Sequence, residues 1–273
     1  MRHAINLPNF GTFSNPRLMA NLAVEAEAAG WDGFFIWDHV LWLAPNNQPV
    51  AEPWVTLGAM AMVTERIKLG PMVTPLPRRR PWQVARQALT LDQLSNGRAI
   101  LGVGIGGDWF GDYSRFGEPP DDRTHGEQLD EALHVITGLC AGAPFSHAGQ
   151  HYTVRDTQFL PTPVQPHIPI WVAGVWPGTK PFRRAAQFDG VTAIARGENT
   201  QLSPDDMRAM IAYIQQHRSA AEPFDVVLSG APLAAEQYAA YADAGVTWYQ
   251  DGFLWEDSVD TVRAHIRRGP PVA

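Results

Sequence analysis

Apolar runs of four to seven residues alternate with longer stretches of mixed polarity along the whole chain, without a linker or low-complexity break. Runs such as Gly33-Phe34-Phe35-Ile36-Trp37 are apolar at consecutive positions. That is the pattern of strands covered on both faces, as in a parallel sheet under helices. Strands are expected at 4–7, 33–37, 67–72, 99–103, 170–172, 190–194, 225–228 and 246–249. The intervening stretches predict helices at 16–29, 53–65, 81–94, 124–139, 179–186, 205–218, 234–244 and 257–267. Proline opens helices after Asn15, Arg80 and Ser203, where its missing N–H costs nothing. Gly30, Gly97 and Gly245 follow helices, where a left-handed residue is needed. Eight βα units predict an α/β fold of the (β/α)8 TIM-barrel class, with an open doubly wound sheet as the alternative. The segment 105–169 exceeds one unit and predicts an insertion after strand four: a loop, a helix and a hairpin around 149–152.

A chain of 273 residues, 45% hydrophobic, fits one barrel domain spanning 1–273. With 21 Lys+Arg against 28 Asp+Glu the net charge is −7, and no basic stripe is present to neutralise phosphates, so nucleic acid is not an expected partner. Apolar runs stop short of the roughly 20 residues that span a bilayer, and the N-terminus lacks an export pattern. A cytoplasmic enzyme without membrane attachment is the expectation. The single cysteine, Cys140, permits no internal disulfide and reads as a core thiol. His147 and His151 flank Gly149 in a turn, so no metal site is expected, and H-E-x-x-H, G-x-S-x-G and G-K-[ST] are all missing.

In such a barrel the working groups lie at the C-terminal ends of strands. Strand two ends in Trp37-Asp38-His39, where imidazole could pass a proton to or from a substrate. The structural alternative makes Asp38 a loop cap and His39 a half-buried ring. Strand four leads into Gly102-Val103-Gly104-Ile105-Gly106-Gly107-Asp108-Trp109. No helix starts at its third glycine, which excludes a Rossmann fingerprint. The bare backbone still lets something flat approach. Past strand five, Thr179 is expected to cap the next helix, and exposed amides before it form a candidate anion site, with Lys180, Arg183 and Arg184 nearby. Arg78-Arg79-Arg80 reads as a solvated turn, or as a contact for an acidic ligand tail.

Several of these stretches look alike to a known family: Trp37-Asp38-His39-Val40, Leu69-Gly70-Pro71-Met72-Val73-Thr74-Pro75, and Thr90-Leu91-Asp92-Gln93-Leu94-Ser95-Asn96-Gly97-Arg98 running into Leu101-Gly102-Val103-Gly104-Ile105-Gly106. Together they resemble the bacterial luciferase-like monooxygenases, a family that includes deazaflavin-dependent oxidoreductases. The resemblance implies a (β/α)8 barrel with FMN or coenzyme F-420 in its mouth. It also implies a non-proline cis peptide joining Met72 and Val73 behind the ring. Gly104, Ile105, Gly106 and Gly107 would then lie beside the cofactor, and Gly174, Val175 and Trp176 would hold its phosphate. By the same resemblance Asp38 contacts the cofactor and His39 moves the proton, and on that reading Trp37, Trp42 and Trp109 are expected to wall the substrate pocket. Asp-His after strand two is similar to the deazaflavin-using branch, so F-420 is favoured over FMN. Sugar-phosphate-oxidising relatives carry glutamate where this chain has Gly107, with Asp108 adjacent as a replacement. The expected activity is hydride transfer between F-420 and a small organic substrate. An FMN monooxygenase using oxygen and a non-catalytic flavin-binding barrel are the alternatives. A homodimer and a separate flavin or F-420 reductase are the implied partners.

Overall fold

The computed structural model describes residues 1–44, 46–196 and 201–271. In chain order the elements are β1 (Arg2–Leu7), α1 (Pro16–Ala28), β2 (Gly33–Ile36), α2 (Pro53–Val63), β3 (Lys68–Pro71), β4 (Thr74–Pro75), α3 (Pro81–Leu94) and β5 (Leu101–Gly104). An insertion follows, with α4 (Asp122–Cys140), β6 (Phe145–Ala148) and β7 (Thr153–Thr157). The rest comprises β8 (Ile170–Trp176), α5 (Thr179–Ala185), β9 (Gly190–Ala195), α6 (Pro204–Gln215), β10 (Asp225–Gly230), α7 (Ala235–Asp243), β11 (Trp248–Gly252) and α8 (Val259–Arg268).

The main sheet runs β3-β2-β1-β11-β10-β9-β8-β5-β4, and each pair in it is parallel. A bridge from Leu69 to Ala99 and the pairing of Thr74 with Val103 bring the two ends together, so the sheet closes as a (β/α)8 barrel. The expected third strand is two pieces, β3 and β4, separated by a cis Met72–Val73 peptide. In the insertion, β6 and β7 form the expected hairpin, fixed to α4 because Glu131 accepts hydrogen bonds from the amides of His151 and Tyr152 and pairs with His147.

Side-chain alternation along the strands builds two cores. One face supplies a small cluster inside the barrel, formed by Ala4, Phe35, Met72, Ile100, Trp171, Val227 and Trp248, which plugs the lumen. The other supplies the larger layer between sheet and helices. Arg98, at the start of the fifth strand's approach, is buried yet fully used: its guanidinium donates to carbonyls of Ala61, Thr64, Ile67 and Ser95 and to Thr64 Oγ1. It satisfies carbonyls that the end of α2 leaves without helical partners. α4 begins two residues earlier than expected, because the Asp121 side chain caps it through the Thr124 amide. α8 begins two later, where the Ser258 side chain accepts from the Thr261 amide. Among the described residues, no helix is long and apolar enough to cross a membrane.

Candidate active site

The C-terminal ends of the barrel strands define a mouth, and its features follow from what stands above the lumen plug. Residues two further along from plug members face the same way. On β1, β10 and β11 these are Asn6, Ser229 and Gln250, which follow Ala4, Val227 and Trp248. They are polar and linked: Asn6 Nδ2 donates to Gln250 Oε1 at 3.1 Å, and Ser229 Oγ donates to the same oxygen at 2.7 Å. Among the described residues, Gln250 Nε2 and Asn6 Oδ1 have no partner. The opposite wall is small and apolar. Val73, Ala173, Val175 and Ile194 are partly exposed although most lie within barrel strands, whereas Trp176 and Ala195 pack toward the helix layer. Between them Gly104 is required by close packing: a Cβ there would stand 3.0 Å from Val73 Cγ2 and 3.2 Å from Ala173 Cβ.

Asp38 and His39, just past β2, have opposite environments. Asp38 is buried and enclosed by donors. Arg78 Nη2 reaches its Oδ1 at 2.6 Å and its carbonyl at 2.7 Å, Arg79 grips both carboxylate oxygens, and Thr74 Oγ1 donates to Oδ2 at 2.8 Å. Burial alone would lower the Arg79 pKa, but the Asp38 carboxylate, with Glu52 beyond it, raises it. The carboxylate therefore ties the 3-10 turn Leu76–Arg78 to the end of β2, and both of its oxygens accept hydrogen bonds from protein donors. Two arginines expected in a solvated turn are the counter-ions, while Arg80 stays exposed.

His39 is held from three directions. Its amide donates to Asn9 Oδ1 at 3.1 Å and its carbonyl accepts from Asn9 Nδ2 at 2.8 Å. Its ring stands edge-on to Phe10 at 5.5 Å and Trp42 at 5.2 Å, and tilts against Trp37 at 6.1 Å. Its Nδ1 lies 3.5 Å from Asp112 Oδ2. Trp42 in turn stacks on Phe10 at 4.1 Å and meets Phe110 at 4.3 Å. The structure thus gathers Trp37, His39 and Trp42 as expected, but not Trp109. That indole is 73% exposed and folds back over Gly107, where a Cβ would meet its ring at 2.7 Å. Phe110 supplies the aromatic contact assigned to its neighbour.

The glycine turn is shaped from within. Gly106 adopts φ +70°, and a Cβ there would clash with Pro75 at 2.8 Å and approach Tyr113 Oη at 3.0 Å. Tyr113 Oη donates to the Ile105 carbonyl at 2.6 Å, and burial raises the Tyr113 pKa. Asp108 does not replace a ligand-facing glutamate. It accepts from the Tyr113 and Ser114 amides, and hydrogen bonds from Ser114 and Tyr113 hold its carboxyl below the usual range. The anion site after strand five is also revised. β8 continues through Trp176, pairing Gly174, Val175 and Trp176 with Ala193, Ile194 and Ala195 of β9. Its register with β5 ends at Val172, so beyond that point only one edge of β8 is taken by a strand. Gly178, not Thr179, is the N-cap of α5, without a side-chain bond, and Arg184 turns away to Asp130 and the Gly126 carbonyl. Lys180 and Arg183 are exposed.

Asn9, Phe10, Phe110 and Asp112 complete this site and were not singled out for it by the sequence, while Arg78 and Arg79, read there as a solvated turn or a contact for an acidic ligand tail, join it as the partners of Asp38. Asn9 and Phe10 follow β1 directly, so the strand-end rule applied to β1 finds them. Asp112 has no such signal, because it comes from the middle of the insertion loop.

A closed parallel barrel whose side-chain chemistry converges above the strand C-termini belongs to the enzyme-bearing (β/α)8 class. Within that class the chain belongs to the luciferase-like monooxygenase family, whose model matches residues 4–269. It is 37% identical over 166 residues to an F-420-dependent glucose-6-phosphate dehydrogenase of Beutenbergia cavernae, a match covering 59% of this chain and 48% of that one. The coenzyme F-420-dependent tetrahydromethanopterin reductase of Methanopyrus kandleri has the same fold, with a TM-score of 0.76 at 19% identity over 98% of both chains. So does the oxygenating component of the Pseudomonas putida 3,6-diketocamphane monooxygenase, solved with FMN. That likeness has a TM-score of 0.67 at 20% identity, covering 85% of this chain and 67% of that one.

Proposed function

We propose that this chain is a coenzyme F-420-dependent oxidoreductase acting on a small organic substrate. The observation that carries this reading is a one-sided mouth: an apolar, small-residue wall facing a polar one, with a caged imidazole at its rim. The wall of Val73, Gly104 and Ala173 offers a planar tricyclic ring a face to lie against, because Gly104 leaves bare backbone between the close-packed side chains of Val73 and Ala173. Met72, Ile105, Gly106 and Gly107 flank that wall. The free edge of β8 at Gly174, Val175 and Trp176, with Lys180 and Arg183 exposed beyond it, fits the phosphate of the tail.

Such a ring, when bound, supplies two-electron hydride chemistry. The chain's own residues do the rest. His39 accepts or returns the accompanying proton at Nε2, the ring nitrogen left without a hydrogen bond among the described residues. Phe10, Trp37 and Trp42 limit water around the imidazole, and Asn6, Ser229 and Gln250 offer hydrogen bonds to a polar group of the substrate. Orientation supplies much of the rate enhancement. The relative with an F-420 name supports this cofactor, and the buried Asp38 beside His39 is consistent with it. Turnover is tested by F-420 absorbance changes against a panel of alcohols and carbonyl compounds, alongside an oxygen electrode. The expected outcome is F-420 turnover without oxygen uptake, falling at least about tenfold in His39→Ala with cofactor affinity kept. Oxygen uptake with reduced FMN and no F-420 turnover assigns the monooxygenase reading instead.

A further inference from the structure

We infer that Asp112, delivered by the insertion loop, is a positioning residue that fixes which nitrogen of His39 exchanges its proton. This rests on the proposed role of His39. The loop between β5 and α4 places the Asp112 carboxylate, 1% exposed, against three donors: Arg78 Nη1 at 2.8 Å, the Val40 amide at 3.2 Å and His39 Nδ1 at 3.5 Å. Burial alone would raise its pKa, but the His39 hydrogen bond and charge, the Val40 amide and Arg78 hold it below the usual carboxylate value. A carboxylate only accepts hydrogen bonds, so the nitrogen facing it carries the proton. In neutral imidazole the lone pair is then on Nε2; in the charged form both nitrogens are protonated and Nδ1 keeps its partner. Either way the proton that moves is the one on Nε2.

The charged groups around the dyad reinforce this choice. Arg78 bridges Asp112 and Asp38, and Arg79 pairs with both Asp38 and Glu52. Two aspartates thus share one guanidinium, and of these five charged groups Asp112 is the one whose side chain meets the ring. Asn9 fixes the His39 backbone, and Phe10 and Trp42 stand edge-on to the ring, so its free motion is rotation about the bonds that Asp112 restrains. Without Asp112 the imidazole keeps its place in the chain and loses its preferred tautomer.

The test is nitrogen-15 NMR of histidine-labelled protein without cofactor, with the His39 signals assigned by their loss in His39→Asn. The expected spectrum of the neutral His39 imidazole is that of the Nδ1–H tautomer. In Asp112→Asn that preference is lost, kcat falls at least about tenfold, and cofactor affinity and KM stay within about twofold. Asp112→Glu regains both the tautomer and part of kcat. An Nε2–H tautomer in the wild-type protein overturns the inference, and so does Asp112→Asn with an unchanged spectrum and rate. Should Asp112→Asn not fold, the wild-type spectrum still decides. Because that spectrum needs no cofactor, an Nδ1–H tautomer together with failed cofactor binding counts against the proposed function alone.

Discussion

Asp38 and His39 were both legible in the sequence, since they stand where a barrel strand ends, but the sequence does not say which of them is free. The difference is made by Arg78 and Arg79, forty and forty-one positions away, which occupy every face of the Asp38 carboxylate. Spacing along the chain carries no trace of that pairing. Removing one partner of a buried ion pair leaves the other uncompensated, at a typical cost of about 3–5 kcal/mol. Asp38→Ala leaves Arg78 paired with Asp112 and Arg79 with Glu52 alone, so it should lose about 3 kcal/mol, the lower end of that range, in urea denaturation, with the unfolding slope unchanged. A loss below about 1 kcal/mol would show that the cluster is solvated and that Asp38 has oxygens to spare for a ligand.

The elements were legible where hydrophobic period and punctuation agreed. Proline at the first position of α1, α3 and α6 marked their starts, and the unbroken apolar strands marked the barrel. Two places escaped. β8 runs on through Val175 and Trp176, beyond its expected end at 172, because these β-prone residues pair with β9. The third strand divides at Met72–Val73, a break anticipated from resemblance and not from periodicity. The insertion loop was legible in length only, and it decides which aromatic residue meets Trp42. Phe110 does, and Trp109 does not. Phe110→Ala should lower kcat/KM by about tenfold through a displaced Trp42, and Trp109→Ala by less than about twofold. The reverse order in steady-state kinetics would mean that the loop closes differently during turnover.

At the scale of the molecule, the closed barrel and the family were legible, because eight repeats of one unit leave few other architectures. The outer surface was less so. α2 is apolar nearly all round, and it leaves Val55 at 69% and Met62 at 66% exposure, with Val63 and, at the end of α3, Leu94 also exposed. A helix hydrophobic on every side is normally covered, and we extend the proposal to a homodimer through this face. Light scattering should then give about twice the 30.1 kDa chain mass, and Val55→Glu with Met62→Glu should return it to that of one chain. A monomeric wild-type protein would remove the face from consideration.

The account stands on the claim that the mouth walled by Val73, Gly104 and Ala173 receives a planar tricyclic ring against that wall. The most direct measurement is a fluorescence titration of the apoprotein with F-420 and, separately, with FMN, using quenching of its 10 tryptophans. Micromolar or tighter F-420 binding is predicted, weakened at least about tenfold by Gly104→Val, since the added side chain meets Val73 and Ala173. If neither ring bound at micromolar concentrations, or if Gly104→Val bound F-420 as well as the unaltered chain, the slot would not be a cofactor site.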